Sequence, residues 1–208
     1  MKPARFVGPV VRRFVAPHTK MRCEQFEALP KVPGRVVFLG DSITSGGIWD
    51  EWFPEIPNQN RGIAGDTVGG VLDRLDSAIH EPKAVSLLIG TNDLSGLGRS
   101  HRVDDIADQM DEVLSRIRSM APDAPILVNG VMPRSKSLAD DIERLNVRYR
   151  HLATKHDTVF IDLWPSFVGS DRSLRKDLTG DGTHLNGAGY GVWVDILRPH
   201  LAAVTRAE

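Results

Sequence analysis

Four short apolar runs constrain this chain most: RVVFLG (35–40), AVSLLIG (84–90), APILVNG (124–130) and DTVFIDL (157–163), none of which alternates apolar with polar residues. A strand with one face in water alternates at period two, whereas an unbroken apolar run suits a strand covered on both faces. Between the runs, apolar residues recur at three- and four-residue steps. Val103, Ile106, Met110, Val113 and Ile117 form one such series, Leu138, Ile142, Leu145, Tyr149 and Leu152 a second, and Tyr190, Trp193, Val194, Leu197 and Leu201 a third. That spacing puts one apolar stripe on a helix. Strands alternating with helices predict a parallel sheet wrapped by helices, because parallel neighbours need a crossover and the crossover is usually a helix. The polar segment PNQNRGIAG (57–65) falls where a short second strand completes the alternation, so five strands are expected.

A length of 208 residues allows one sizeable core. The expected organisation is an N-terminal arm and preliminary helix over 1–34, the helix itself over 19–29, then a single domain over 35–205. With 26 basic against 27 acidic residues and 41% hydrophobic content, the composition is that of an ordinary soluble protein, and nothing in it demands a nucleic-acid partner. Cys23 is the only cysteine, which excludes an intramolecular disulfide and a paired-thiolate metal site and fits a reducing, cytoplasmic location. Residues 1–23 hold six Lys or Arg and no acid, but Pro9, Arg12, Arg13 and Pro17 interrupt every apolar core that a signal peptide would need. No window approaches the roughly 20 apolar residues of a membrane span. A second copy of the chain is a candidate partner through the apolar stretch FVGPVV (6–11), which would equally serve to pack on the chain's own core.

In an open α/β sheet the ligand crevice lies beyond the carboxyl ends of the strands. Three of the apolar runs end there in small polar loops: Gly40-Asp41-Ser42, Gly90-Thr91-Asn92-Asp93 and Asn129-Gly130. A serine hydroxyl is a poor nucleophile at neutral pH and needs a positioned base, usually a histidine that a carboxylate orients. Six of the seven histidines, His18, His80, His101, His151, His156 and His200, lie where a surface or packing role suffices. His184 differs, because it belongs to the glycine-rich DLTGDGTHLNGAGY (177–190), after the last strand and before the last helix. Asp181, three residues earlier, can reach the imidazole on one tight loop; taken alone, the same pair would serve equally well as a turn cap and a helix lead-in. Acyl transfer also needs donors for a developing oxyanion. IAGDT (63–67) offers the amide of Gly65, and GTND (90–93) the carboxamide of Asn92. Singly, each also suits a turn or a cap.

GDS at 40–42, the glycine of AGD at 64–66, GTND at 90–93 and DGTH at 181–184 stand in the order and setting of the SGNH hydrolases. The chain resembles that family, also called GDSL-type lipases and acylhydrolases, from about residue 35 to 200. NRGIAGDT in particular is similar to the branch that includes the platelet-activating-factor acetylhydrolase catalytic subunits and bacterial esterases and lysophospholipases. The chain departs from the GDSL pattern at Ile43, where Leu is usual, a change of shape at similar volume. The resemblance implies a flavodoxin-like three-layer α/β/α sandwich with a five-stranded parallel sheet. It implies Ser42 as nucleophile, His184 as general base and then acid, and Asp181 as the carboxylate that orients it. The oxyanion hole would comprise the Ser42 amide, the Gly65 amide and the Asn92 side chain. Asp41, Thr91 and Asp93 match motif positions that support the loops. Arg61 and Asp66 match structural positions, with substrate contact a second reading for Arg61.

The expected reaction is hydrolysis of small-molecule carboxylic esters through an acyl-enzyme, without metal or cofactor, with a preference for short acyl chains by analogy with that branch. The rival enzyme is a metal-dependent phosphoesterase, since the same loops scatter Asp, Asn and His; it would need an Asp-x-His opening motif and a second histidine-rich loop, which the chain lacks. An ordinary α/β-hydrolase would need a G-x-S-x-G elbow, but Thr44 stands two after Ser42. The non-enzyme rival is a ligand-binding member of the same fold, which would lack a nucleophile, base or oxyanion donor. Trp49, Trp52 and Phe53 are candidates either to line the crevice or to pack a helix. SGLGRSH (95–101) and WPSFVGSDRSLRKD (164–177) are candidate rims, whose Arg99, Arg172, Arg175 and Lys176 suit an anionic substrate or a solvated surface.

Overall fold

A computed structural model describes residues 8–205, with side chains for 17–204. The apolar stretch FVGPVV (6–11) lies outside the described side chains. The four apolar runs and the polar segment form five strands: β1 (Val36–Gly40), β2 (Asn58–Gly62), β3 (Ala84–Leu88), β4 (Ile126–Asn129) and β5 (Val159–Ile161). All pairings are parallel, in the order β2-β1-β3-β4-β5. The chain moves outward from β1 to one edge, returns past it and continues to the other, so the order reverses beside β1 and opens the crevice there.

The unbroken apolar runs are explained by burial on both faces. Val37 and Leu39 of β1 join one core with Val85, Leu87 and Val128. That core is covered by α4 (Val68–Asp73), α5 (Leu75–Ala78), α7 (Val103–Met120) and α8 (Ala139–Lys155). Val36 and Phe38, one residue out of phase, join the other core with Leu88, Leu127 and Ile161. There the cover is α3 (Trp49–Trp52) and α10 (Gly187–Thr205). Trp49 and Phe53 belong to this second core and not to the crevice: the Phe38 and Trp49 rings stack at 4.2 Å, and Trp193 meets Trp49 edge-on at 4.9 Å. The result is the three-layer α/β/α sandwich.

Strand β2 is polar because its side chains are structural donors. Asn60 Nδ2 lies 3.1 Å from each of the carbonyls of Thr44, Ser45 and Gly47, and Asn58 Nδ2 donates to Ile56 O at 2.9 Å. The edge strand thus holds the segment that follows β1. That segment also runs close to the sheet: a Cβ on Gly62 would stand 2.2 Å from Ser45 N.

The preliminary helix, expected over 19–29, is α1 (Gly8–Ala28) and starts earlier. Pro9 falls in its first turn, where no N–H partner is needed, and Pro17 forfeits a single hydrogen bond. The prolines that disqualify a signal peptide therefore do not stop a helix. Phe26 of α1 is buried against β2 with the Arg61 guanidinium 4.8 Å from its ring. Among the described residues, no helix is long and apolar enough to cross a membrane.

Candidate active site

β1 runs directly into the one-turn helix α2 (Ser42–Ser45), which Asp41 caps by accepting the Ile43 N–H at 2.9 Å. Ser42 is therefore the first residue of that turn, at the carboxyl end of a central strand. Asp41 is fully buried, its second oxygen has no hydrogen-bond partner, and burial pushes its carboxyl up to about 7. Tyr190 of α10 donates to Ile43 O at 2.7 Å and fixes the turn from the other side.

The loop carrying His184 is closed by a bridge between Thr179 and Leu185. Thr179 Oγ1 donates to His184 O at 2.6 Å and accepts the Gly182 N–H at 3.0 Å. Asp181 Oδ1 accepts the N–H groups of Thr183 and His184 at 2.9 and 2.8 Å, leaving Oδ2 free to meet His184 Nδ1 at 2.7 Å. His184 Nε2 lies 3.0 Å from Ser42 Oγ. The imidazole bond first, then the two backbone N–H groups, hold the Asp181 carboxyl well below the usual carboxylate range. An ionised carboxylate can only accept, so Nδ1 must carry the proton, and the Nε2 lone pair faces the serine hydroxyl. The structure thus brings together Ser42, His184 and Asp181, separated by up to 142 positions.

Asn92 lies in the short helix α6 (Thr91–Leu94), directly after β3. It is buried, and its Nδ2 donates to Asp66 O at 2.9 Å, which fixes the carboxamide and leaves its second N–H for another acceptor. Gly65 precedes that carbonyl in a turn where its φ of 77° belongs to the left-handed region that glycine alone enters freely. Thr91 is buried, and Asp93 accepts the Val68 N–H at 3.1 and 3.3 Å, capping α4; burial pushes its carboxyl, too, up to about 7. Asp66 pairs with Arg74 at 2.7 Å, both buried. Arg74 Nη2 also donates to Arg61 O at 2.9 Å and to Gly40 O at 3.2 Å. Arg61 faces Phe26 of α1 and Gln59 of β2.

Three side chains of the site had no assignment from sequence. Arg74 and Tyr190 lie in helical segments that give no sign of facing a crevice. Arg134 carried a signal, since it follows the Asn129-Gly130 strand end on the crevice side. A cleft opens beside Ser42, with Ile43, Leu88, Ile89, Val131 and Met132 as its apolar wall and Asp41, Thr91, Arg134 and Thr183 as its polar one. Three of the rim cations are engaged in ion pairs: Arg99 with Asp73, Arg172 with Glu143 and Asp140, and Arg175 with Asp177. Among the described residues, no three His, Cys, Asp or Glu side chains group as metal ligands.

A parallel five-stranded sandwich whose strand-end loops unite a serine, a histidine and an aspartate has the layout of a hydrolase. The chain belongs to the GDSL-like lipase/acylhydrolase family, whose model matches residues 38–192. Platelet-activating factor acetylhydrolase IB subunit alpha1 of Rattus norvegicus is 31% identical over 166 residues, 74% of this chain and 69% of that protein. A Streptococcus pneumonia protein named for platelet activating factor superimposes with a TM-score of 0.83 at 22% identity, over 93% of this chain and 97% of its own. A GDSL-like lipase from Bacteroides thetaiotaomicron gives 0.77 at 22% identity, over 89% and 97%. The family is one of ester hydrolases, and the chain shares the fold of these structures.

Proposed function

We propose that this protein is a serine esterase that cleaves carboxylic esters of small molecules through an acyl-enzyme on Ser42. The observation that carries the reading is the unbroken contact from Asp181 to His184 at 2.7 Å and from His184 to Ser42 at 3.0 Å. In the first half-reaction Ser42 Oγ attacks the ester carbonyl while His184 Nε2 takes the hydroxyl proton. Asp181 keeps Nδ1 protonated and balances the imidazolium. The backbone N–H groups of Ser42 and Gly65 and the free N–H of the Asn92 carboxamide stabilise the oxyanion. Collapse breaks the ester C–O bond, and the imidazolium returns its proton to the leaving alcohol. Water, deprotonated by the same nitrogen, then attacks the acyl-serine and releases the acid.

A short acyl group fits best. The cleft beside Ser42 is narrow and walled by Ile43, Leu88, Ile89, Val131 and Met132, and the related mammalian subunits are named for removing an acetyl group. The test is hydrolysis of p-nitrophenyl esters from acetate to long acyl chains, by the protein and by Ser42→Ala, with and without a chelator. Turnover that needs Ser42, resists the chelator and falls with chain length supports every part of this reading. Turnover lost in the chelator would instead favour the metal-dependent phosphoesterase, and a folded protein inert on all chain lengths would favour a ligand-binding role.

A further inference from the structure

The segment after β4 carries a cation into the middle of the candidate site. Arg134 follows Val131, Met132 and Pro133 along the cleft, and its guanidinium bonds two other loops at once. Nε donates to Thr183 Oγ1 at 3.1 Å, one residue before His184. Nη1 donates to Ser95 Oγ and, at 3.4 Å, to Thr91 O; Ser95 Oγ in turn donates to Thr91 O at 2.9 Å. One rigid, planar group therefore spans the loop that bears the histidine and the turn that bears Asn92. Among the described residues, the segment 180–184 reaches other loops through only two side-chain bonds, this one and the contact of His184 with Ser42. Apart from half-buried Thr183 that segment is exposed, and its other hydrogen bonds, to Thr179 and Asp181, are internal to the loop.

We propose that Arg134 is a positioning residue for the relay: it locks the His184 loop to the Asn92 turn. The proposal rests on the reading of Ser42, His184 and Asp181 as a catalytic relay. The imidazole itself meets Asp181 on its own loop and Ser42 at the head of α2, with Asp41 beside them, and Arg134 reaches its loop through Thr183. Tyr190 faces Asp41 from α10. Arg134 feels both Asp41 and Asp181.

Three variants test the link between the loops. Thr183→Val removes the partner of Nε and leaves the charge; Arg134→Lys keeps the charge and loses the fork; Arg134→Gln loses both. The loop contacts predict that all three lower kcat by on the order of 10- to 100-fold, the cost of a misplaced catalytic group, with KM little changed and melting temperature preserved. Hydrogen exchange of the backbone amides of 180–184 should speed up in Thr183→Val and Arg134→Gln, since the bond between the two loops is gone. Wild-type kcat in folded Arg134→Gln would overturn the proposal. So would a raised KM at unchanged kcat, which would make Arg134 a substrate contact, or unaltered exchange of the 180–184 amides. Esterase activity of the unmodified protein tests the proposed function separately, and the hydrogen exchange decides on Arg134 even if that activity is missing.

Discussion

A buried carboxylate has a cost that depends on pH, and Asp93 is an example. Its carboxyl is raised to about 7 by burial, against about 3.9 for an unfolded aspartate. The folded chain therefore holds the proton more tightly, so the stability linked to this group is fully present below about pH 4 and lost as pH rises through about 7. Asp93→Asn keeps an acceptor for the Val68 N–H and removes the titration. Urea unfolding between pH 4.5 and 6.5 should then lose up to about 1.4 kcal/mol per pH unit of downward slope. Asp181 has the opposite sign: its depressed carboxyl supports the fold above the ordinary aspartate range and ceases to as pH falls below it. At Asn92, removal of a donor to the oxyanion should cost on the order of 10²–10³ in kcat. Kinetics of Asn92→Ala with a circular-dichroism melt check this, and normal turnover would contradict the role. The residues of the proposed relay were legible only in combination, because a hydroxyl at a strand end and a histidine on a glycine-rich loop each have an ordinary use when taken singly. Arg74 was not legible, because a guanidinium buried under two carbonyls looks in sequence like any charged residue of a helix.

The secondary elements position the site by donating to it, which is where sequence pattern gives out. The apolar runs gave β1, β3, β4 and β5, since burial on both faces leaves a continuous hydrophobic signature. β2 has none, and only the expected alternation placed it. Its polarity follows from Asn60, whose single carboxamide lies within 3.1 Å of three carbonyls of the segment after Ser42. Asn60→Ala would leave those carbonyls without that donor, at a cost of about 1–3 kcal/mol for an unsatisfied buried group. Denaturant unfolding should show that loss, and steady-state kinetics a fall in kcat larger than any change in KM. An unaltered kcat would mean that β2 supports the fold without aligning the serine. The extent of α1 was also missed, because proline weighs against a helix in sequence although its first turn tolerates one.

At the scale of the molecule, two cores meet across one sheet, and the chemistry gathers where the strand order reverses. The Asp66–Arg74 pair joins these levels: the guanidinium ties the ends of β1 and β2 through Gly40 O and Arg61 O, while the Asp66 carbonyl holds Asn92. Arg74→Met would strand a buried carboxylate, with about 3–5 kcal/mol lost, and a thermal melt should register it as a large fall in midpoint. Fold class followed from periodicity alone, whereas the site required four short motifs read together, because each of them also has an ordinary structural use. The account stands or falls on Ser42 as the nucleophile. Incubation with a fluorophosphonate followed by intact-mass analysis and peptide mapping tests this most directly. The account predicts one adduct per chain, on Ser42, absent in Ser42→Ala and slow to form in His184→Ala. A folded, ester-hydrolysing protein that takes no adduct at Ser42, or that labels equally well without it, would contradict it.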